Sequence, residues 1–325
     1  MIRSLITGCG GYLPGEPVSN DALAARHGLD TSDSWIIERT GIRQRHIADE
    51  GVTASDLGTA AALQAMESAG VTAADVDAIL VATATPDSAF PATAVRIQQK
   101  LGVTRGFAFD LAAACAGFIY ALGVADALIR TGQARCVLVI GTEVYSRIMD
   151  WTDRGTCVLF GDGAGAVVLR ADEGRGTASD RGILSTHMHA DGRHGDILAV
   201  EGGAGSTGGA GVLRMAGREV FRHAVQKLAG VVDEALAANG LGHGDVRWLV
   251  PHQANIRIIE AVGKKLHLPP EQVVVTVDRH ANTSAASIPL ALNEAWRDGR
   301  IRKGDLVLME AIGGGLTWGA ALARI

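Results

Sequence analysis

The chain of 325 residues contains only four cysteines, few aromatic residues and no long apolar run. The cysteines form neither a closely spaced metal-binding pair nor a dense disulfide framework. No stretch approaches the ~20 consecutive apolar residues that a membrane-spanning helix needs. The N-terminal segment MIRSLITGCGGYLPG has only a short apolar run broken by glycine, so we expect no signal peptide and a cytoplasmic location. The net charge of −5 gives no reason to expect nucleic acid as a partner.

Glycine and apolar residues are abundant instead. The 42 glycines and the hydrophobic fraction of 47% suit a compact α/β enzyme with many short turns. At this length the chain exceeds the usual size of a single core, so two domains or two halves are expected. Strand patterns and helix patterns alternate along the whole sequence, which predicts a layered α/β architecture.

Segments in the first half of the chain resemble segments in the second half. The matching pairs are AILVATAT (78–85) with WLVPHQAN (248–255), FAFDLAAACAG (107–117) with VVTVDRHANTSA (274–285), and VLVIGTEV (137–144) with LVLMEAIG (306–313). This pattern predicts two similar halves, which we place at residues 1–175 and 176–325. Polar residues at the strand ends of both halves would then converge where the halves meet.

The sequence also predicts the local structure of two particular segments. The β-branched run VVVTV (273–277) predicts a strand. The segment EGGAGSTGGAGV (201–212) contains six glycines and predicts a mobile surface loop. That loop could be an idle linker or a flap over a substrate entrance, and the sequence favours neither.

Cys115 is the most informative residue of the chain. It lies in DLAAACAGFIYAL (110–122), where a short apolar strand pattern passes into an apolar helix pattern. A cysteine at such a junction lies near unpaired backbone N–H groups and the positive end of the helix dipole. We therefore expect its pKa to be lowered from about 8.5, so that thiolate is populated near neutral pH. An inert buried thiol is the alternative for a lone cysteine, and it is the interpretation we give to Cys9, Cys136 and Cys157.

Later segments supply the partners that a cysteine nucleophile would need. His252 directly follows the strand pattern at the start of RWLVPHQANIRII (247–259), and Asn282 lies in the polar turn after residues 273–277. The glycine triplet Gly313–Gly315 allows backbone N–H groups to approach a ligand oxygen, as an oxyanion hole requires. Each feature alone has a structural explanation as a satisfied polar residue, a helix cap or a tight turn. Their occurrence together at strand ends favours a catalytic site.

Seven motifs are distributed along the chain. They are WIIERTGIRQRHIA (35–48), ATATPDSAFPATA (82–94), DLAAACAGF (110–118), TDRGTCVLFGDGAGA (152–166), VPHQAN (250–255), DRHANTSAASIP (278–289) and AIGGGLTWG (311–319). Together they resemble the β-ketoacyl-acyl-carrier-protein synthase III family, the enzymes that start bacterial type II fatty-acid synthesis. The resemblance covers essentially the whole chain, and it implies a duplicated thiolase-like fold with an αβαβα core.

The resemblance also implies the chemistry. The chain would condense a short acyl-CoA primer, with acetyl-CoA expected, with malonyl-acyl-carrier protein and release CoA and CO₂. Cys115 would carry the acyl group, and the backbone N–H groups of Cys115 and Gly314 would form the oxyanion hole. His252 and Asn282 would donate hydrogen bonds to the enolate that forms as CO₂ leaves. Acyl-CoA is a substrate in this scheme, and no cofactor or metal is expected.

Binding residues are implied in the same way. Trp35 and Arg39 lie one helical turn apart, so both can face one ligand. The expected CoA-binding residues are Thr31, Trp35, Arg39, Arg154, Gly217, Phe221 and Asn255. The expected docking face for an acidic carrier protein comprises Arg222, Arg257, Lys264 and Lys265.

The acyl pocket is expected at Phe90, which would reach across a homodimer, and at Tyr145. Tyr145 stands where the family often has a smaller aliphatic residue, which leaves open a synthase that primes with branched or longer acyl groups for a specialised metabolite.

More distant alternatives are a cysteine hydrolase and a non-catalytic interaction protein. His187 and His189 in HMHADGRH (187–194) could suggest a metal site, but no further ligand set accompanies them in the sequence.

Overall fold

Strands and helices alternate along the chain in the computed structural model, which describes residues 1–325. The strands are β1 (Ile2–Tyr12), β2 (Val18–Ser19), β3 (Gln44–Arg45), β4 (Ala78–Ala82), β5 (Phe107–Leu111), β6 (Cys136–Glu143), β7 (Gly163–Glu173), β8 (Gly182–Ala190), β9 (Leu198–Gly203), β10 (Gly209–Met215), β11 (Trp248–Pro251), β12 (Leu306–Gly313) and β13 (Thr317–Arg324). The α-helices are α1 (Asn20–His27), α2 (Asp33–Thr40), α3 (Ala54–Ala69), α4 (Thr93–Leu101), α5 (Gly117–Arg130), α6 (Gly217–Ala238), α7 (Ile256–Lys265), α8 (Val277–His280) and α9 (Ser287–Arg297). None of these helices is both long and apolar enough to span a membrane.

Two sheets share one topology. The first has the strand order β1-β7-β6-β4-β5, and the second has the order β8-β13-β12-β11. In both sheets the first two pairings are antiparallel and the next pairing is parallel. A parallel bridge between Leu249 and Val273 stands in the second sheet where β5 stands in the first. The equivalence confirms the predicted duplicated α/β fold.

The helices form three layers around the two sheets. The largest apolar cluster joins both sheets through the central helices α5 and α9. α5 is apolar on nearly all sides, which is typical of a helix buried between two layers. The second cluster joins α3 and α4 to the outer face of the first sheet, and the third joins α6 and α7 to the outer face of the second sheet. The order of layers is therefore α, β, α, β, α.

The structure differs from the sequence prediction in two segments, 201–212 and 273–277. Residues 201–212 belong largely to the hairpin of β9 and β10, because apolar side chains next to the glycine-rich stretch, among them Val200 and Leu213, pack on a buried cluster. The predicted strand at 273–277 is reduced to the single bridge of Val273, since α8 begins at Val277.

The central turns of the two halves meet inside the molecule. The 3-10 turn Ala114–Ala116 follows β5, and the 3-10 turn Ser284–Ala286 precedes α9. Ala114 and Ser284 both have a left-handed backbone, with φ of 45° and 50°. Such values are uncommon for residues other than glycine, so the packing around both turns holds them in place.

Candidate active site

A cavity of about 850 Å³ opens where the two halves meet. Residues from both halves line it, and most of them are hydrophobic. The predicted site residues that line it are Cys115, His252, Asn282, Gly314, Trp35, Arg39, Gly217, Phe221, Asn255, Tyr145 and Arg257. The predicted residues outside the lining are Thr31, Arg154, Phe90, Arg222, Lys264 and Lys265.

Cys115 lies at the junction between β5 and α5, as the sequence predicts, and its side chain is almost fully buried. Burial raises the pKa of its thiol to about 12, and the neighbouring Glu143 carboxylate acts in the same direction. The expectation of a lowered pKa is therefore wrong. The helix terminus is present, but removal of water from the thiol outweighs it, and no cationic side chain is among the groups that shift the pKa of the thiol.

His252 follows β11, and a carbonyl oxygen of β12 accepts a hydrogen bond from its backbone N–H at 2.8 Å. Burial lowers the pKa of the imidazole to about 3, so the ring is neutral at physiological pH. Its Nδ1 lies 2.6 Å from Ser287 Oγ, and this oxygen accepts a weaker hydrogen bond from the Gln253 N–H at 3.3 Å. A buried Ser287 hydroxyl proton needs an acceptor, and Nδ1 provides it. Nε2 then carries the ring proton and is a donor.

Asn282 is fixed at both its backbone and its side chain. Its backbone N–H donates to Leu159, and its carbonyl oxygen accepts from the Gly161 N–H at 3.0 Å. The side-chain Oδ1 accepts from the Ser284 N–H at 2.9 Å. Because the amide oxygen is occupied in this way, the Nδ2 group is left as a donor at the cavity wall.

Because Gly313–Gly315 have no side chains, the backbone of this segment lies close to Cys115. A Cβ atom on Gly313 would lie 2.6 Å from the backbone nitrogen of Cys115, and one on Gly314 would lie 2.5 Å from the Leu198 carbonyl oxygen. Neither position has room for a side chain, so the strand end can approach the turn of Cys115 only as glycine.

Two cationic side chains lie over the ring of Trp35. The guanidinium groups of Arg39 and Arg154 lie 4.9 Å and 5.3 Å from its ring centre, as expected for residues that share one face. Arg154 also donates to the backbone of Asp30. Asn255 caps α7, and its Nδ2 donates to the Arg39 carbonyl oxygen at 3.3 Å.

The two residues expected at the acyl pocket differ in their surroundings. Tyr145 is buried and stacks on Phe160, with ring centres 5.0 Å apart. Phe90 has 85% of its surface exposed, and it lies outside the cavity of the single chain. The sequence patterns did not single out Ser284, Ser287 or Glu143. The two serines lie in DRHANTSAASIP (278–289), at a turn and at the start of α9, and Glu143 ends β6 within VLVIGTEV (137–144).

The remaining predicted residues lie on the surface. Arg222, Arg257, Lys264 and Lys265 are all exposed, and the last three belong to one helix, α7. His187 and His189 both contact the carboxylate of Glu234, at 3.1 Å and 2.6 Å. No group of three or more histidine, cysteine or acidic side chains in the structure is arranged to hold a metal ion.

A cysteine beside neutral histidine and asparagine donors, at the seam of a duplicated αβαβα fold, defines a thiolase-like acyl-transferring enzyme. Comparisons with known proteins agree. The family model described as "3-Oxoacyl-[acyl-carrier-protein (ACP)] synthase III" matches residues 109–192, and the model of its C-terminal part matches residues 236–325. The chain belongs to this family.

Curated relatives and solved structures match over the full length. β-Ketoacyl-acyl-carrier-protein synthase III of Acidiphilium cryptum is 66% identical, and that of Paramagnetospirillum magneticum is 63% identical, each over 100% of both chains. The structure of the synthase III from Aquifex aeolicus has a TM-score of 0.92 at 46% identity, covering 99% of this chain and 100% of that one. A priming β-ketosynthase from the R1128 polyketide pathway has a TM-score of 0.92 at 36% identity, with 99% and 96% covered.

Proposed function

We propose that the protein starts fatty-acid synthesis by condensing a short acyl-CoA, with acetyl-CoA as the primer, with malonyl-acyl-carrier protein. The products would be 3-ketoacyl-acyl-carrier protein, CoA and CO₂. One observation carries the proposal: Cys115, His252 and Asn282, from distant parts of the chain, line one cavity. The full-length identity to synthases of this name supports the substrates.

In the first stage, the sulfur of Cys115 attacks the thioester carbonyl of the acyl-CoA. The negative charge that develops on the carbonyl oxygen is stabilised by the backbone N–H groups of Cys115 and Gly314. The close approach of Gly313 to the Cys115 backbone supports this arrangement, because it brings the two peptide segments together. CoA leaves, and the acyl group stays on the sulfur.

In the second stage, malonyl-acyl-carrier protein enters and loses CO₂. Charge then develops on its thioester oxygen, and His252 Nε2 and Asn282 Nδ2 donate hydrogen bonds to it. Neutral donors suit this step, because decarboxylation needs stabilisation of an enolate and no strong base. The enolate carbon attacks the acyl-cysteine, and the thiolate of Cys115 leaves.

CoA would lie along the cavity, with its adenine stacked on Trp35 and flanked by Arg154, and with Arg39 reaching a phosphate or the base. Thr31, which lies just before α2, would add a contact at the same end. Gly217, Phe221 and Asn255 would line the path of the pantetheine arm. The carrier protein would dock on the exposed basic residues Arg222, Arg257, Lys264 and Lys265.

We infer an organisation of two halves, 1–175 and 176–325, in a cytoplasmic homodimer. The first sheet uses only β1 to β7 and the second only β8 to β13, which supports the boundary. The exposed ring of Phe90 supports a dimer, because a large apolar side chain gains from burial against a partner. The buried ring of Tyr145 beside Cys115 limits the space for the acyl group, which favours acetyl over longer primers.

The proposal is tested by incubating the protein with acetyl-CoA and malonyl-acyl-carrier protein and measuring CoA, CO₂ and the 3-ketoacyl product. We expect all three products with the native chain and none with Cys115→Ala. Release of free acetate without a condensed product would favour the hydrolase alternative. Condensation with isobutyryl-CoA or octanoyl-CoA but not with acetyl-CoA would favour the specialised synthase.

A further inference from the structure

Tyr145 and Ser284 join the two halves of the fold through a buried hydrogen bond. Tyr145 begins the 3-10 turn Tyr145–Ile148 after β6, and Ser284 begins the 3-10 turn before α9. The Ser284 hydroxyl donates to Tyr145 Oη at 3.0 Å, and this is the only hydrogen bond within the protein that either hydroxyl forms. Both residues are buried. Movement of the tyrosine away from Ser284 would therefore leave a buried hydroxyl without its partner, which costs free energy.

The ring of Tyr145 forms part of the wall of the cavity. It lines the same cavity as Cys115, and it stacks on Phe160 with the ring centres 5.0 Å apart. The turn of Ser284 packs against the turn of Cys115, but Ser284 itself does not line the cavity. Ser284 can therefore act on the space beside the thiol only through Tyr145. The stack holds one face of the ring, and the hydrogen bond holds its hydroxyl end.

The backbone of Ser284 is fixed independently of its hydroxyl. Its N–H donates to Asn282 Oδ1 at 2.9 Å, and its φ of 50° is close to the φ of 45° that Ala114 adopts in the equivalent turn. Alanine is therefore compatible with this backbone conformation. A Ser284→Ala exchange removes the bond to Tyr145 and leaves the N–H that holds Asn282.

We propose that the Ser284 hydroxyl determines which primers the cavity accepts, because it holds Tyr145 as a fixed wall beside the acyl group on Cys115. An acetyl group leaves the tyrosine in place, whereas a longer or branched group displaces the ring and breaks the hydrogen bond. Ser284 is thus a positioning residue that acts through Tyr145. The substrate class that it favours is the thioester of a short, unbranched acyl group. This role rests on the proposed acyl transfer to Cys115.

The test compares the rates of acyl loading of Cys115 from isobutyryl-CoA and from acetyl-CoA, measured by intact mass. We expect the ratio of the isobutyryl rate to the acetyl rate to rise about tenfold in Tyr145→Phe and in Ser284→Ala, because the ring is no longer held at its hydroxyl end. The double variant should raise the ratio no further than either single variant, since both remove the same bond. A general loss of stability would lower both rates and leave their ratio unchanged.

Tyr120→Phe is the matched control. The hydroxyl of Tyr120 also donates a hydrogen bond, to the His189 carbonyl oxygen at 2.8 Å, and the residue does not line the cavity. Its ratio of rates should equal the native ratio. An unchanged ratio in both Tyr145→Phe and Ser284→Ala would overturn the proposal, because stacking on Phe160 would then hold the wall by itself. Increases that add in the double variant would also contradict a shared bond.

Two further arms separate folding and the proposed function from this role. If Ser284→Ala does not fold, the ratio in Tyr145→Phe decides the question against Tyr120→Phe. Alkylation of Cys115 by iodoacetamide and by its longer N-butyl derivative repeats the comparison without any CoA. If the native chain is alkylated but accepts no acyl group from any acyl-CoA, the proposed function fails. The role of Ser284 is then supported if the variants favour the longer reagent more than the native chain does, and contradicted if they do not.

Discussion

At the scale of single residues, His252 is held as a neutral donor by one serine. Ser287 Oγ lies 2.6 Å from Nδ1, and burial keeps the pKa of the ring far below its ordinary value. This arrangement directs the proton of Nε2 to the cavity, where enolate charge would develop. Loss of the Ser287 hydroxyl is therefore expected to slow condensation and to leave acyl transfer to Cys115 largely unaffected.

We predict that His252→Ala keeps much of the acyl transfer to Cys115 and loses condensation. The loss of one such donor costs about 2.7–4 kcal/mol of barrier, or about a hundredfold to a thousandfold in rate. Ser287→Ala should lower condensation by about tenfold, because it removes one hydrogen bond that sets the tautomer. The two stages are measured separately, by acyl loading and by CO₂ release. Equal losses in both stages would contradict the division of roles.

The positions of the residues proposed for the chemistry were predictable here, while their electrostatic environment was not. Cys115, His252 and Asn282 stand at strand ends inside motifs, so their types and positions drew attention in the sequence. The raised pKa of Cys115 depends on how completely the fold excludes water, and on a carboxyl that lies close only in the folded chain. Neither property is encoded in local spacing.

Glu310 provides a pH-dependent prediction about stability. Burial raises its pKa to about 8 from an ordinary value of 4.5, and its Oε2 has no hydrogen-bond partner. A raised pKa in the folded state means that its favourable contribution is complete below about pH 4.5 and is lost as the pH rises through about 8. Glu310→Gln should thus change stability little near about pH 5 and stabilise by a few kcal/mol near about pH 9.

Urea unfolding at the two pH values measures this difference directly. The native chain should lose stability between them, and Glu310→Gln should lose less. A difference between the two proteins that is the same at both pH values would mean that Glu310 does not stay neutral in the folded state.

At the scale of elements, β9 and β10 show where composition misleads. Six glycines between 201 and 212 predict a loop, but the apolar residues on either side, such as Leu198 and Met215, line the cavity and hold the segment as a hairpin. The reverse holds for 273–277, where β-branched residues predict a strand that pairs only at Val273. In both places tertiary packing overrides the secondary-structure propensity of the residues.

The helix α7 carries two kinds of basic residue, one that lines the cavity and two that do not. Arg257 lines the cavity and donates to the Glu38 carbonyl oxygen at 3.2 Å, so reversal of its charge would disturb CoA binding as well as docking. Lys264 and Lys265 are exposed in the last turn and lie outside the cavity. They are the cleaner probes of a docking face.

We predict that Lys264→Glu and Lys265→Glu raise the KM for malonyl-acyl-carrier protein severalfold, because each replaces attraction to an acidic partner with repulsion. Acyl loading from acetyl-CoA should be unchanged. Lys303→Glu, the same charge change beside the opposite end of β12, is the control. If all three variants have the native KM, the carrier protein does not dock on α7.

At the scale of the whole molecule, the duplication accounts for how distant residues come together. The turns at Ala114–Ala116 and Ser284–Ala286 occupy equivalent places in two sheets of the same topology, and they pack against each other at the seam. The paired segments of the sequence made this architecture predictable. The proposed assembly of two chains was expected only from the family resemblance, because no pattern in the sequence marks a partner surface.

Substitution of Phe90 tests the proposed assembly of two chains into a dimer. We predict that the protein sediments as a dimer and that Phe90→Ala accepts longer acyl-CoA primers than the native chain, because the ring would close the partner's acyl pocket. Leu63→Ala, which truncates another exposed apolar side chain on a different element, should leave the primer ranking unchanged. A monomer at micromolar concentration, or an unchanged ranking in Phe90→Ala, would contradict this role.

The intact mass of the protein after incubation with acetyl-CoA alone tests most directly whether Cys115 is the nucleophile. We expect the native chain to gain the mass of one acetyl group, peptide mapping to find it on Cys115, and Cys115→Ala to gain nothing. An adduct that persists in Cys115→Ala, or no adduct with acetyl-, isobutyryl- or octanoyl-CoA, would contradict the claim that Cys115 takes the acyl group from CoA.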